Sequence, residues 1–228
     1  ILPFYKMRQM HHRKVLLQMR DKYNEELKEL NAALVEMGKM CKEAISKDVD
    51  ALADTKSDDI DQIRILYEKI IKQREEIENL CYSLVLRQQP VASDLRNISS
   101  ATRVIVDMER IGVNALDIAE IIPYVADSPL KTQVPILMMA DAASYMVSKS
   151  VEAFVDKNIE LADSVIAYDD TVDDLFDEVK SSIIESIRDG KKKDGSAAID
   201  IVMIAKYFER MGDHAENIAK LVHYSLNE

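Results

Sequence analysis

Three oxygen-bearing side chains near the end of the chain, Glu209, Asp213 and Asn217, stand at steps of four residues. Four residues advance an α-helix by about 400°, so the three side chains would form a slowly drifting row on one helix face. Like charges at this spacing destabilise a helix by about 0.2–0.5 kcal/mol per pair, and a bound cation reverses the sign of that interaction. Hard and borderline divalent cations accept such oxygen ligands, so the chemistry that this pattern favours is metal binding.

A second pair of carboxylates, Asp169 and Asp173, has the same spacing and lies beside the apolar positions of another predicted helix. If the two helices are neighbours, they place four or five oxygen ligands along a shared groove that flanks the core without lining it. The chain contains 41 acidic residues, however, so acidic pairs at this spacing also arise by chance and then form a solvated helix face. Spacing alone leaves both interpretations open.

Motifs for catalysis are missing from the sequence. It contains no Glu-x-x-His motif for a di-iron centre, no Ser or Cys with a histidine at motif spacing, and no glycine-rich phosphate loop. His214 follows Asp213 and is therefore turned about 100° from the acidic row, so we expect it, like His223, to lie at the surface. Cys41 and Cys81 fall in apolar stripes and are expected to be reduced core thiols. We predict that the chain is not an enzyme.

The composition limits the classes of partner. A formal net charge of −11 argues against nucleic-acid binding, because contacts to phosphates need a basic surface. No run of about 18 apolar residues is present, so we expect no membrane insertion and a cytoplasmic location. Five glycines and five prolines in 228 residues leave few turns, which favours long helices over many short strands.

Six amphipathic helices are predicted from the apolar spacing, which becomes regular from Met19 onward with Tyr23, Leu27 and Leu30. In chain order, we expect one helix from Met19, a second from Ser57 to Gln89, a third from Val91 to Ile122, a fourth from Pro135 to Val155, a fifth ending near Gly190, and a sixth from Ser196 to Leu226. The third helix is expected to stop at Pro123, and a polar loop is expected from Asp189 to Gly195.

The two halves of the sequence repeat each other. Glu109-Arg110-Ile111-Gly112 and Glu209-Arg210-Met211-Gly212 lie 100 positions apart, each in the third predicted helix of its half. The repeat predicts an all-α fold of two tandem, pseudo-repeated three-helix bundles. The predicted boundaries are a basic N-terminal extension over 1–18, natural or added, a first bundle over 19–122, a proline-containing linker over 123–133, and a second bundle over 134–228.

These motifs together resemble the PhoU family. The resemblance rests on the segment from Arg87 to Arg96, on the two repeated motifs, and on the opening from Met19 with its Met37-Gly38 step, and it covers about Met19 to Leu226. It implies a PhoU-like fold whose Glu/Asp-x-x-x-Asp motifs bind multinuclear metal clusters on the outer surface. The residues that match in the second half, and are therefore expected to be metal ligands, are Asp169, Asp173, Glu209, Asp213 and Asn217. Iron or zinc is the expected ion, with manganese or magnesium as alternatives.

The resemblance also implies a function. It predicts a homodimeric negative regulator of phosphate uptake and of the phosphate-starvation response, which docks on a phosphate ABC transporter ATPase and on a sensor histidine kinase. An alternative is the cytosolic PhoU-like tail of a sodium–phosphate cotransporter, with residues 1–18 as the tether from the membrane. A metal-dependent enzyme is the least supported of the three hypotheses.

The first half departs from the family pattern. Val113 stands where the family has the aspartate four residues after the glutamate, and aligning the second helices of the two halves places Tyr67 and Ile71 opposite Asp169 and Asp173. Glu109 and Asp117 alone remain of the first acidic row, which makes them weaker candidates for metal ligands. We therefore expect one metal site, in the second half.

Overall fold

Long amphipathic stretches with few interruptions fold into six α-helices in the computed structural model. The backbone is described for residues 2–54, 57–88, 91–188 and 195–226, and the side chains for residues 20–54, 59–86, 91–188 and 195–226. The helices are α1 (Leu2–Ala53), α2 (Ser57–Gln88), α3 (Ala92–Val125), α4 (Ile136–Asp156), α5 (Ile159–Arg188) and α6 (Gly195–Leu226), with a 3₁₀ turn at Pro129–Thr132.

The helices form two bundles of three. Helices α1, α2 and α3 pack on one another, and α4, α5 and α6 do the same, because short connections leave consecutive helices antiparallel. The bundles lie side by side, with α3 against α6 in the most extensive contact and α1 against α4. The predicted pair of tandem three-helix bundles is confirmed, while the exact domain boundaries stay a prediction.

The apolar positions of the predicted stripes fill the core. Tyr23, Leu30 and Leu34 of α1 are buried, as are most apolar positions with the same spacing on the other helices, although Ile60, Leu80 and Phe176 are only half-buried. Both cysteines are free and buried, as predicted, and burial raises the pKa of the Cys41 and Cys81 thiols to about 12. The thiols therefore stay protonated and unreactive. Over the described residues, no helix has a stretch long and apolar enough to cross a lipid bilayer.

Two predicted helix ends are wrong. Helix α1 begins at Leu2, seventeen residues before Met19, although the side chains of that segment lie outside the described residues. Helix α3 continues through Pro123 to Val125, because a proline in the last turn removes only one backbone hydrogen bond and its fixed φ suits a helix. Burial of Ile122 and Val125 favours that last turn. The expected polar loop at 189–194 also lies outside the described residues.

Local polar contacts define the end of α4, the start of α5 and the start of α3. Lys157 ends α4 with a left-handed φ of 54°, and Asn158 begins α5 by accepting a hydrogen bond from the Leu161 amide at 3.0 Å. At the start of α3, Asp94 accepts hydrogen bonds from the Val91 amide and from Arg20 of α1. Burial opposes ionisation of Asp94, but these hydrogen bonds outweigh it and hold the pKa of the carboxyl below its usual value.

One core position of α1 holds a carboxyl group. Asp48 continues the stripe through Cys41 and Ile45, its side chain is fully buried, and neither carboxyl oxygen has a hydrogen-bond partner. Burial alone raises its pKa well above the usual value, so the group takes up a proton when the chain folds at neutral pH.

We expect Asp48→Asn to stabilise the fold at pH 8 by about 1 kcal/mol or more, because a neutral amide folds without taking up a proton. The carboxyl pKa is raised in the folded state, so stability falls as pH rises above the unfolded-state pKa, and the advantage of the amide should disappear near pH 4. Urea unfolding from pH 4 to 8 measures this difference. Asp50→Asn on the exposed face of α1 is the matched control, and a pH-independent gain for Asp48→Asn would contradict the argument.

Candidate metal centre

Helices α5 and α6 approach each other closely at Gly212. A Cβ atom at position 212 would lie 3.3 Å from Asp169 Oδ1 and 3.4 Å from Val172 Cγ1, which is tight for a real side chain. The glycine thus lets an aspartate of α5 lie directly against the backbone of α6. Val172 of the core and the carboxylate of Asp169 therefore both pack against α6 at Gly212.

Four carboxyl groups of α5 and α6 act on one another at this place, and we call them the acidic cluster: Asp169, Asp173, Asp213 and Glu216. Burial, together with the charges of Glu216, Asp173 and Asp213, raises the pKa of Asp169 to about 6, and the charge of Lys220 opposes this shift. Burial also raises the pKa of Asp213, where Asp173 and Glu216 add to the shift while Lys206 and His214 oppose it. Mutual repulsion of this kind is what a bound cation would relieve.

The structure brings together three of the five predicted ligands, Asp169, Asp173 and Asp213. Glu209 is 9% exposed and forms an ion pair with Lys206, so the prediction that it lies outside the core is wrong. The reason is that α6 packs against α3, α4 and α5, which covers positions beside its apolar stripe as well as the stripe itself. One oxygen of Glu209 is buried without a hydrogen-bond partner.

Glu216 is the residue that the sequence argument missed. It lies seven positions after Glu209, an advance of about 700°, which returns it to within about 20° of the same helix face. Asn217 lies one position further, about 80° from Glu209, and is exposed. The structure thus adds Glu216 to the candidate ligands, and the role of Asn217 as a ligand stays a prediction.

Lysine side chains supply internal counter-charges around the acidic cluster. Lys220 pairs with Glu216, and Lys206 pairs with Glu209. The ammonium groups of Lys206 and Lys180 lie 5.3 and 5.5 Å from the centre of the Phe176 ring, within the range of cation–π attraction. Part of the negative charge is thus neutralised by the chain itself.

The donor atoms of these residues suit a metal ion, but their side chains are not arranged to hold one. Neighbouring carboxylates raise the pKa of Asp169 and Asp213, and such a group of oxygen donors suits hard or borderline cations. Within the described part of the chain, however, no three His, Cys, Asp or Glu side chains are grouped so that they could hold an ion as they stand. Binding would need side-chain rotation within the cluster.

The corresponding place in the first bundle has a different character. A Cβ atom at Gly112 would lie 3.0 Å from Ile70 Cδ1 and 3.6 Å from Tyr67 Cδ2, which matches the contacts of Gly212 with Val172 and Asp169. This register agrees with the predicted alignment of the second helices. The counterparts of the acidic cluster are four half-buried residues that are apolar or aromatic: Tyr67, Ile71, Val113 and Leu116.

The two first-half candidates, Glu109 and Asp117, do not come together. Glu109 forms an ion pair with Arg74 of α2, whose Nε lies 3.0 Å from its carboxylate. Asp117 faces the other bundle instead: burial and Glu120 raise its pKa, while the charge of Arg210 and a hydrogen bond with Tyr207 lower it. Neither arrangement leaves an open group of oxygen ligands on the first bundle.

The two histidines whose side chains the structure describes form contacts between helices. His214 is half-buried and its Nδ1 lies 2.9 Å from Asp107 Oδ1 on α3, so the expectation of a surface position is wrong for this residue. It connects the two bundles and is turned away from the acidic cluster. His223 contacts Asp163 of α5 at 2.8 Å.

Comparison with known proteins identifies relatives of the whole fold. The family model described as PhoU domain matches twice, over residues 34–122 and 136–222. A phosphate-specific transport system accessory protein PhoU homolog from Pseudomonas aeruginosa is 31% identical over 205 residues, which is 89% of this chain and 84% of that protein. The crystal structure of PhoU from Pseudomonas aeruginosa superposes with a TM-score of 0.81 at 30% identity, covering 90% of this chain and 98% of that one. The crystal structure of the phosphate transport system regulatory protein PhoU from Streptococcus pneumoniae gives the same TM-score at 24% identity, covering 89% of this chain and 96% of that one, and supports the fold alone.

The raised pKa of Asp169 predicts a pH-dependent stability effect in the presence of chelator. We expect Asp169→Asn to stabilise the protein by about 1 kcal/mol at pH 7.5, after allowing for solvent screening of a half-buried group. Because the folded-state pKa is raised to about 6, stability is lost as pH rises from about 4 to 6, so the variant should show no advantage at pH 4. Urea unfolding at both pH values measures this. Asp170→Asn, on the adjacent exposed residue, is the control, and equal gains from both variants would refute the prediction.

Proposed function

The chain belongs to the PhoU family, and from that premise we propose that it is an accessory protein of a phosphate-specific transport system that negatively regulates phosphate uptake and the phosphate-starvation response. The observation that supports this most strongly is that the family model matches each of the two bundles once. Both structural units of the chain therefore have the sequence pattern of phosphate-specific transport accessory proteins, and the fold leaves no part of the matched regions for another kind of domain.

The proposed mode of action is binding to partner proteins. A cytoplasmic homodimer that docks on a phosphate ABC transporter ATPase and on a sensor histidine kinase would act by occupying partner surfaces. The sequence supports this because it contains no nucleophile–histidine motif and no phosphate loop, which a catalytic regulator would need. The effect of such a regulator on its partners increases with the amount of the protein, because each molecule occupies one partner surface.

We include a metal site on the second bundle in the proposal. Asp169, Asp173 and Asp213 would hold an iron or zinc ion, or manganese or magnesium, with Glu216 beside them and Glu209 available once it leaves Lys206. A bound ion would supply positive charge and coordination positions open to a partner's oxygen atoms. The support is the mutual repulsion of these carboxyl groups and their separation from the core of the bundle.

Metal content should depend on the second bundle alone. We expect Asp213→Ala, and the double variant Glu209→Ala with Asp213→Ala, to abolish bound metal, because each removes a central carboxylate of the acidic cluster. Glu109→Ala is the matched control on the first bundle, and it should change metal content little since Arg74 engages that carboxylate. Elemental analysis of protein purified without chelator or histidine tag measures this. Equal losses from the Asp213 and Glu109 variants would contradict the asymmetry.

Regulation should follow the amount of protein in the cell. Deleting the gene should give constitutive expression of phosphate-responsive genes in phosphate-rich medium, and complementation should restore repression in a graded manner with protein level. Asp213→Asn should leave helical content and melting temperature of the metal-free protein nearly unchanged, since exposed substitutions usually cost no more than about 0.5 kcal/mol, yet weaken repression. A reporter assay with titrated expression tests both points, and full repression by trace protein would indicate a catalyst instead.

A further inference from the structure

The side chain of Lys206 lies where the acidic residues of α6 meet the edge of α5. Its ammonium group forms an ion pair with Glu209, lies 5.3 Å from the centre of the Phe176 ring, and favours ionisation of Asp213 by its charge. One lysine thus contacts or influences a carboxylate on each of two successive turns of α6, and an aromatic face of α5 supports it from the side.

This ion pair differs from the other lysine–carboxylate pairs three residues apart in the described residues. The pairs Lys39–Glu36 and Lys180–Asp177 are formed at the surface by carboxylates that are at least half exposed. In contrast, the side chain of Glu209 is only 11% exposed, and its second oxygen is buried without a hydrogen-bond partner. A buried carboxylate needs a counter-ion far more than an exposed one, and Lys206 supplies it.

We propose that the Lys206 ammonium is a tethered competitor of the metal ion, which occupies the cation position beside Glu209 until an arriving ion displaces it. The inference rests on the proposed metal site and names the residue that regulates it. Lys206 engages Glu209 beside the acidic cluster, so that in the described part of the chain Glu209 is not grouped with the cluster carboxylates as a further ligand. Displacement frees Glu209 to turn toward Asp213, one helical turn away.

In the first bundle, too, the glutamate of the repeated motif forms an ion pair with a basic side chain. Glu109, the repeat counterpart of Glu209, is also neutralised by a basic side chain, but that side chain is Arg74 on α2. The counterpart of Lys206 is Val106, which is exposed. The remaining cluster positions on the first bundle are apolar or aromatic, so an ion that displaced Arg74 would find no further carboxylate there. Lys206 is therefore a reversible counter-ion and Arg74 a permanent one.

Competition by an internal lysine sets a threshold for the ion. A cation gains the carboxylate contacts only after the ion pair with Glu209 and the contact with Phe176 have been lost. Ions that bind carboxylates weakly do not compensate for that loss. The lysine therefore lowers the affinity of the site for every ion and restricts binding to ions that bind carboxylates strongly. The displaced ammonium also becomes a new positive group at the surface of the site, which makes the ion-bound surface differ from the ion-free surface in more than the ion itself.

Isothermal titration of the full chain with Zn²⁺ and with Mn²⁺ tests the proposal. Lys206→Met keeps the length and the packing on Phe176 but removes the charge, and we expect it to bind the ion about tenfold or more tightly than the wild type. Lys206→Arg should bind no more tightly than the wild type. Lys180→Met is the matched control, because it removes a positive charge beside the same Phe176 ring, while its ion-pair partner Asp177 is exposed and lies outside the acidic cluster; its gain should be about threefold or less, the general effect of charge.

A second readout does not involve the ion. In chelator, Lys206→Met leaves Glu209 buried without a counter-ion and should therefore lower the melting temperature, and saturating ion should restore it above that of the ion-bound Lys180→Met variant. Lys206→Gln, which can still donate a hydrogen bond to Glu209, serves if the methionine variant does not fold. Wild-type binding with equal or weaker binding by Lys206→Met and Lys206→Gln would overturn the competitor role and leave the metal site standing. Absence of binding by the wild type and by every variant would overturn the metal site itself.

Discussion

Helix α6 packs against three other helices, and the rest of the site depends on that packing. Contacts with α3, α4 and α5 bury the apolar stripe that includes Phe208 and Met211, and complete burial of each such side chain contributes about 1.5–3 kcal/mol. A strip of exposed residues remains along α6, including Arg210, Asp213 and Asn217. The exposed carboxylate of Asp213 lies on that strip, whereas Glu209, one turn earlier, is covered and forms an ion pair with Lys206.

The antiparallel contact of α3 and α6 relates the bundles by an approximate two-fold arrangement. Positions along the helices pair in opposite order, from Arg103 with Tyr224 to Asp107 with His214 and Asp117 with Tyr207. Each bundle uses a glycine to bring its second helix close to its third. The acidic cluster of one bundle is nevertheless replaced by apolar and aromatic residues in the other. The backbone packing is thus independent of the surface chemistry placed on it, and the fold does not need the carboxylates.

The sequence predicted the fold well because its signals are repeated many times. Helical spacing extends over dozens of residues, and the motif at Glu109 returns at Glu209, so an error at one position changes little. Prediction of the site, in contrast, depended on single residues. Spacing within α5 and α6 identified Asp169, Asp173 and Asp213. The ion pair of Glu209 with Lys206 and the place of Glu216 in the cluster could not be predicted, because they depend on which neighbouring helices cover each position. The continuation of α3 past Pro123 likewise depended on tertiary burial of Val125.

Three consecutive residues of α6 connect the site to the rest of the molecule. Gly212 faces α5, Asp213 belongs to the acidic cluster, and His214 reaches Asp107 of the other bundle at 2.9 Å. The charge of His214 also opposes the effect of burial on the pKa of the Asp213 carboxyl group. The acidic cluster and the contact between the bundles therefore adjoin each other on a single turn of α6.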